Sequence, residues 1–213
     1  MTYIYPDTLF IQFAKAPELN KVKTRMQSEL SGPQCVALHK LLVTDIYKIL
    51  NDMHLATVEL WITGDDKEHF FQTLNPSPST RGQHGEDLGT RMYHALKDGL
   101  QRYRYAILVG SDCPFITPQI LKDVIEKLSK GVDCVLGPAT DGGYVLIGLQ
   151  RINLALFTNI EWGSERVLAQ TRLALENISW QWFELDALAD IDTPEDLKQI
   201  QSMNRYKEFF LTL

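Results

Sequence analysis

Residues 105–109 read YAILV, five apolar residues in a row, and the run stops at Gly110-Ser111-Asp112-Cys113-Pro114. A strand with one face in water alternates apolar and polar side chains. A strand apolar on both faces is covered on both sides, as in the centre of a parallel sheet. This stretch therefore demands helical layers above and below it. Gly110 lets the chain turn, and Pro114 and Pro118 first delay and then start a helix. Asp112 accordingly falls at the carboxyl end of a central strand, the edge at which open α/β sheets bind ligands.

The rest of the chain alternates in the way such a sheet requires. Strands are expected at Leu9–Ala14, Leu55–Ile62, Val132–Leu136, Tyr144–Leu149 and Trp180–Leu185. Helices are expected at Lys21–Leu30, Pro33–Met53, Asp65–Leu74, Leu88–Tyr103, Pro118–Lys130, Ser164–Asn177 and Pro194–Met203. The segment between Leu136 and Tyr144 is too short for a crossover helix, so that pair is antiparallel or sharply offset. The expectation is an α/β fold, a three-layer α/β/α sandwich with a mixed, mostly parallel sheet. The turn-rich stretch Asn75–Gly85 reads as a functional loop. The C-terminal FFLTL reads as a last strand or a contact with a partner.

A chain of 213 residues supports one sizeable core, and residues 1–213 are read as a single domain. The net charge of −6 argues against general nucleic-acid or anionic-membrane binding, although local charge decides whether a small anion binds. Cys35, Cys113 and Cys134 are too few and too scattered for a disulfide framework or a zinc knuckle, which suits a reducing cytoplasm. The N-terminus carries no basic leader, and no apolar run is long enough to span a bilayer.

Chemically pointed stretches follow the strand ends. After the first strand, Lys15, Lys21, Lys23 and Arg25 place four cations within eleven residues of an acidic protein. Lys21 and Arg25, four apart, would share a helix face, with Lys15 in the loop ahead of that helix, an arrangement suited to phosphate. The plainer alternative is a solvated basic helix start. In QHGEDLGTRM, Gly85 and Gly89 allow close backbone approach to a flat ligand, and the Gln83 amide can read a base edge. Asp87 caps the helix that begins at Leu88, contacts a ligand, or does both. Asp112 can hold a divalent cation that also bridges phosphate oxygens; otherwise it closes an Asx turn. Asp141 with Gly142-Gly143 is a tight turn taken alone, and beside Asp112 it could face an acceptor. Near the C-terminus Thr193 and Asp196 have capping-box spacing. Asp190 and Asp192 are then spare, and either could complete a metal site.

Other chemistries lack their residues. No Gly-x-Gly-x-x-Gly follows the first strand, and no phosphate-loop Gly-Lys-Ser/Thr is present. There is no nucleophile elbow, and the five histidines lack zinc-site spacing. Cys113 beside Asp112 is a poor thiolate, because a neighbouring carboxylate raises a thiol pKa.

Taken in order, FAKAPELNKVKTRM, GEDLGTRM, GSDCPFITP, LGPATDGGYVLIGL and DIDTPEDL resemble the bacterial DUF2064 family, described as nucleotide-diphospho-sugar transferases. That family resembles the type-A glycosyltransferase fold, and is similar to phospholactate guanylyltransferase and more distantly to molybdenum-cofactor guanylyltransferase. The likeness spans about Leu9 to Leu197. It implies that Lys15, Lys23 and Arg25 hold nucleotide phosphates and that Gln83, Gly85, Asp87 and Leu88 lie by the base or ribose. It also implies that Asp112 binds Mg²⁺ or Mn²⁺, with Asp192 or Asp190 as the second contact. Three features depart from the pattern. Leu19-Asn20 stands where Pro-Gly is usual, Val145 replaces a common Tyr, and the paired Asp-x-Asp of many glycosyltransferases is missing. The last departure favours nucleotidyl over sugar transfer.

The leading expectation is a metal-dependent transferase using a nucleotide-sugar donor and a small-molecule acceptor. In it Lys15 and Arg25 stabilise the leaving diphosphate and Asp141 orients the acceptor or acts as base. A nucleotidyltransferase releasing pyrophosphate is the second expectation. A nucleotide-binding regulator without turnover, whose binding would survive Asp112→Asn, is the third.

Overall fold

A computed structural model describes residues 2–66, 69–211 and 213. Among them, seven strands form one sheet in the order β3-β2-β1-β4-β6-β5-β7. They are β1 (Thr8–Lys15), β2 (Thr57–Thr63), β3 (Ser79–Gly82), β4 (Tyr105–Val109), β5 (Cys134–Pro138), β6 (Tyr144–Leu149) and β7 (Trp182–Glu184). β6 runs antiparallel to both neighbours, β4 and β5; the other pairs are parallel. The short connection between β5 and β6 forces this reversal, because a parallel return needs a crossover of a dozen or more residues.

Helices α1 (Gly32–Asn51), α2 (Leu88–Arg102), α3 (Pro118–Ser129) and α4 (Val167–Asn177) cover the sheet. Phe10, Val58, Leu60, Ile107 and Val109 point to one face, where they meet Val43, Ile46 and Leu50 of α1 and Leu121 and Val124 of α3. Leu9, Ile11, Ala106, Leu108 and Ile147 point to the other, against Met92 and Leu96 of α2 and Leu168 and Leu175 of α4. Adjacent residues of β1 and β4 thus feed opposite layers, and this is why β4 is apolar from end to end and β1 is apolar at Leu9–Ile11 and Phe13-Ala14. The helix starts use the caps the sequence supplies. Ser31 and Gln34 form a capping box at α1, Asp87 accepts from Thr90 N at α2, and Thr117 accepts from Ile120 N ahead of Pro118 at α3.

A third cluster joins the ends of the chain. Met26, Leu30, Cys35, Leu38 and Leu42 pack against Ile191, Leu197, Ile200, Tyr206 and Phe209. The C-terminal stretch carries α5 (Leu197–Ile200) and α6 (Lys207–Leu211). Arg205 donates to the Pro114 carbonyl and Tyr206 Oη to Asp45, so the tail braces the loop that carries Asp112.

Several expected elements differ. Lys21–Leu30 is no helix but a single 3₁₀ turn, Thr24–Met26. Asn20 and Lys23 have left-handed backbones (φ 59° and 49°), which a right-handed helix cannot contain. Within Asp65–Leu74 a 3₁₀ turn covers Phe70–Thr73, while Lys67 and Glu68 lie outside the described residues. The stretch read as a loop, Asn75–Gly85, contains β3, an exposed edge strand held by backbone pairing to β2. Its Ser-Thr-Arg-Gly has no apolar face, so periodicity could not reveal it. Pro194–Met203 divides into a 3₁₀ turn and the short α5. Residues 209–211 of FFLTL are helical in α6 rather than a strand.

Candidate active site

β1 and β4 are neighbours whose chains leave in opposite directions, since the next strand after β1 is β2 on one side and the next after β4 is β5 on the other. Such a switch point opens a crevice at the carboxyl ends of the strands. Two segments meet there. After Lys15 the chain is pinned by Ala16 N to Thr63 O (2.7 Å) and by Glu18, whose carboxylate accepts from Lys21 Nζ (2.6 Å) and Asp65 N (3.3 Å). Lys15 Nζ donates back to Lys21 O (2.7 Å). After β4 the chain turns through Ser111 and Asp112, and Ile191 N donates to Asp112 O (2.9 Å). This last bond brings the 190–192 segment alongside.

The resulting cleft, about 300 Å³, is lined by Lys15, Lys21, Val22, Lys23, Thr24, Arg25, His39, Asp112 and Asp192. Lys15, Lys21 and Arg25 are exposed to it. Lys23 is not: its side chain is 2% exposed. Its ammonium donates to Ile191 O (2.6 Å) and lies 2.9 Å from Asp112 Oδ1 and 3.8 Å from Asp192 Oδ1. The Asp112 contact is an ion pair without hydrogen-bond alignment. Lys23, expected to hold phosphate, thus has its charge already set among protein oxygens. Asp192 is not spare either: its Oδ2 accepts from Arg25 Nη1 (2.8 Å).

Three residues beneath the cleft hold its walls. Gln12, fully buried, donates to Val43 O and to Ser111 Oγ (both 3.0 Å), and Ser111 Oγ donates to Phe13 O (2.7 Å). His39 Nε2 is 2.8 Å from Lys15 O. The acceptor is a carbonyl, so that nitrogen carries the hydrogen. Burial pushes the His39 pKa below its ordinary value, against the pull of Asp112, so the ring is neutral near pH 7. Sequence reasoning missed all three. The available signals were a glutamine inside an apolar strand and a histidine on the buried face of α1, between Leu38 and Leu42.

The carboxylates divide into two kinds. Burial alone would raise Asp112, but the Lys23 ammonium, joined at low pH by a protonated His39, holds it below the ordinary range. Its side chain remains 44% exposed even though Oδ1 is buried. Asp190 is pushed up to about 6, by burial first and then by the like charges of Asp141 and Asp112. Asp141 is exposed, and its Oδ1 accepts from Gly143 N (2.9 Å), closing an Asx turn. Gly142 has φ 90°, and a Cβ there would collide with the Glu165 carbonyl, so only glycine fits.

Among the described residues no three carboxylate, imidazole or thiol groups are placed to cage a metal ion. The donor set suits a cation held by one or two carboxylates and otherwise by water and phosphate oxygens, as Mg²⁺ commonly is. Asp112 and Asp190 fit that role. Asp190 is a carboxylate whose surroundings hold too little positive charge to keep it ionised at its ordinary pKa.

The Gln83–Leu88 segment does not line the cleft. Gln83 Nε2 donates to Trp61 O (2.9 Å) and Ala14 O (3.3 Å), so its amide nitrogen ties β2 to the end of β1. Asp87 caps α2 at 2.7 Å from Thr90 N. Gly85 has φ 141° and receives the Arg91 guanidinium on its carbonyl, and Leu88 is exposed. Beside them the Trp162 indole packs on Gly89 so closely that a Cβ there would overlap the ring. Burial pushes the Cys113 thiol up to about 12, so it is protonated near pH 7.

Known proteins share the fold of this chain. A family model described as "Uncharacterized protein conserved in bacteria (DUF2064)" matches residues 47–164. The chain is 25% identical over 184 residues to a 2-phospho-L-lactate guanylyltransferase of Methanocaldococcus jannaschii, covering 85% of this chain and 78% of that one. Its fold matches that of a protein of Desulfovibrio desulfuricans G20 provisionally described as a nucleotide-diphospho-sugar transferase. The TM-score is 0.85 at 28% identity, over 95% of this chain and 90% of that one. Two more distant structures share the fold. One is a CMP:2-keto-3-deoxy-manno-octonic acid synthetase complexed with CTP (TM-score 0.61, 11% identity, 94% and 99% covered). The other is Rv0371c of Mycobacterium tuberculosis H37Rv complexed with manganese (TM-score 0.57, 14% identity, 92% and 99% covered).

Proposed function

The chain belongs to the DUF2064 family, and on that footing we propose that it is a nucleotidyltransferase, joining a nucleoside monophosphate to a small acceptor and releasing pyrophosphate. One observation carries the reading. Three exposed cations, Lys15, Lys21 and Arg25, line one cleft with Asp112 at the switch point of the sheet. The sequence similarity to a guanylyltransferase supports it, as does the likeness in fold to a CTP-bound synthetase. Nucleotide-sugar transfer, the first expectation from sequence, is retained as the second reading because of the provisional description of the Desulfovibrio protein. Pyrophosphate release separates the two.

In nucleotidyl transfer an acceptor oxygen attacks the α-phosphorus of a nucleoside triphosphate. The bond from that phosphorus to the bridging oxygen breaks, and pyrophosphate leaves with the electron pair. The chain's part is positioning and charge stabilisation. Lys15 is held by its bond to Lys21 O, and Arg25 exchanges Asp192 for a phosphate oxygen. Both then stabilise charge that grows on the leaving group. Asp141, on its fixed turn, faces the acceptor side. Asp112 and Asp190 would hold a divalent cation, which when bound would neutralise phosphate charge beside them. His39 and Gln12 keep the two walls in register, so substrate binding need not organise them.

The test is a thermal-shift panel of CTP, GTP, ATP, UTP and UDP-glucose with and without Mn²⁺, followed by pyrophosphate detection with any triphosphate that binds. A ligand at 100 times its Kd adds about 2.7 kcal/mol of stability. One triphosphate should stabilise the protein only with Mn²⁺, and Asp112→Asn should lose that gain. If Asp112→Asn keeps it in full, the assignment of Asp112 fails.

A further inference from the structure

Four cations run from the last residue of β1 to Arg25, and one of them behaves unlike the rest. The left-handed backbone at Lys23 turns its side chain inward, where 2% of it is exposed. Its ammonium sits against Ile191 O, Asp112 Oδ1 and Asp192 Oδ1, joining the Asp112 loop to the 190–192 segment. Arg25 pairs with the other oxygen of Asp192. Lys23 and Arg25 are thus paired with Asp112 and Asp192 before any ligand arrives. The inner oxygen of Asp112 faces an ammonium at 2.9 Å. A metal ion approaching Asp112 meets a like charge that cannot swing into solvent without leaving Ile191 O.

We infer that Lys23 is the resident counter-ion of Asp112, a positioning residue that keeps a divalent cation off this carboxylate until nucleotide phosphates have entered the cleft. It rests on the reading of the cleft as a nucleotide and cation site, and it adds an order of binding. Phosphates draw Arg25 from Asp192 and bring negative charge next to Asp112. The balance then shifts toward a cation shared between carboxylate and phosphate, the way Mg²⁺ is usually held. Lys23 stays on Ile191 O throughout and holds the Asp112 loop while the charge around it changes. A lysine that served only as a structural pin would act in the opposite sense, since removing it would loosen Asp112 and weaken cation binding.

The two roles separate in a titration of the full chain with Mn²⁺ followed by water-proton relaxation, which reports protein-bound Mn²⁺. Wild type, Lys23→Met, Lys23→Arg and Asp112→Asn are each measured with and without pyrophosphate as the phosphate probe. Wild type should bind Mn²⁺ at least tenfold more tightly when pyrophosphate is present. Lys23→Met should bind Mn²⁺ alone at least tenfold more tightly than wild type, about 1.4 kcal/mol, and gain less from pyrophosphate. Lys23→Arg should resemble wild type. Lys23→Met binding equal to or weaker than wild type, with Asp112→Asn abolishing the site, overturns the inference and leaves the cation site standing. Mn²⁺ binding that ignores Asp112→Asn removes the inference and the cation assignment together. If Lys23→Met does not fold, wild type decides: no gain with pyrophosphate refutes the proposed order.

Discussion

Asp190 is a group the fold holds against its own preference, and that can be measured without knowing the substrate. Its carboxyl moves from an ordinary 3.8 to about 6, because it is half-buried and faces Asp141 and Asp112, with Lys23 offsetting only part of that. The folded state thus binds its proton more tightly than the unfolded chain does. Between about pH 4 and pH 6 the native protein carries more protons than the unfolded one, so stability falls as pH rises. The penalty is absent below the unfolded pKa and complete above the folded one. At 1.36 kcal/mol per pH unit the full displacement is about 3 kcal/mol. Solvent screening at a partly open site reduces this to about 2 kcal/mol. Asp190→Asn removes the charge and keeps the shape. The variant should be about 2 kcal/mol more stable than wild type at pH 8 and indistinguishable from it at pH 3.5, in urea melts read by far-ultraviolet circular dichroism. Comparing the two proteins at each pH cancels every other titrating group. A gap that does not change with pH, or a variant less stable than wild type at pH 8, would refute the claim that Asp190 sits in uncompensated negative surroundings. Mn²⁺ offered with a nucleotide should raise wild-type stability more than that of the variant, because the cation relieves the same repulsion.

Arg25→Gln and Lys15→Gln should leave the fold intact, since both side chains are exposed. Each should weaken triphosphate binding about 10- to 100-fold in calorimetric titrations, the worth of one charged hydrogen bond at about 1.5–3 kcal/mol. Elsewhere, Glu59 is buried on β2 and held by Arg102 at 2.7 and 2.9 Å and by Arg81 at 3.1 Å. Arg102→Met leaves that carboxylate half-paired and should cost about 3 kcal/mol in urea unfolding, at the low end for a broken buried pair because Arg81 remains.

The alternation of strands and helices was legible in the sequence because it depends on local periods. YAILV reads as a doubly covered strand, and the five residues of β4 are buried, feeding both layers in turn. The segment after Leu136 is too short for a crossover helix, which left an antiparallel or sharply offset pair, and β6 is antiparallel. Asp87 and the Thr193–Asp196 box act within three residues, and they cap where their spacing says they should. The sequence also placed Asp112 and the basic stretch at strand ends, since that requires only knowing where strands stop. Lys15, Lys23, Arg25 and Asp112 do line one cleft. Which of those charges face solvent was a different matter. Lys23 and Arg25 are two residues apart and chemically alike, yet one is buried against Ile191, 168 residues along the chain, and the other is exposed. Gln83 looked free until β3 paired with β2 and set its amide nitrogen on Trp61 O and Ala14 O. Asp192 looked spare until Arg25 arrived from the other end of the chain. Local sequence determines backbone period and capping because those energies come from neighbours a few residues away. Whether a charge is paired, buried or available depends on which distant segment crosses it, and only the tertiary structure decides that.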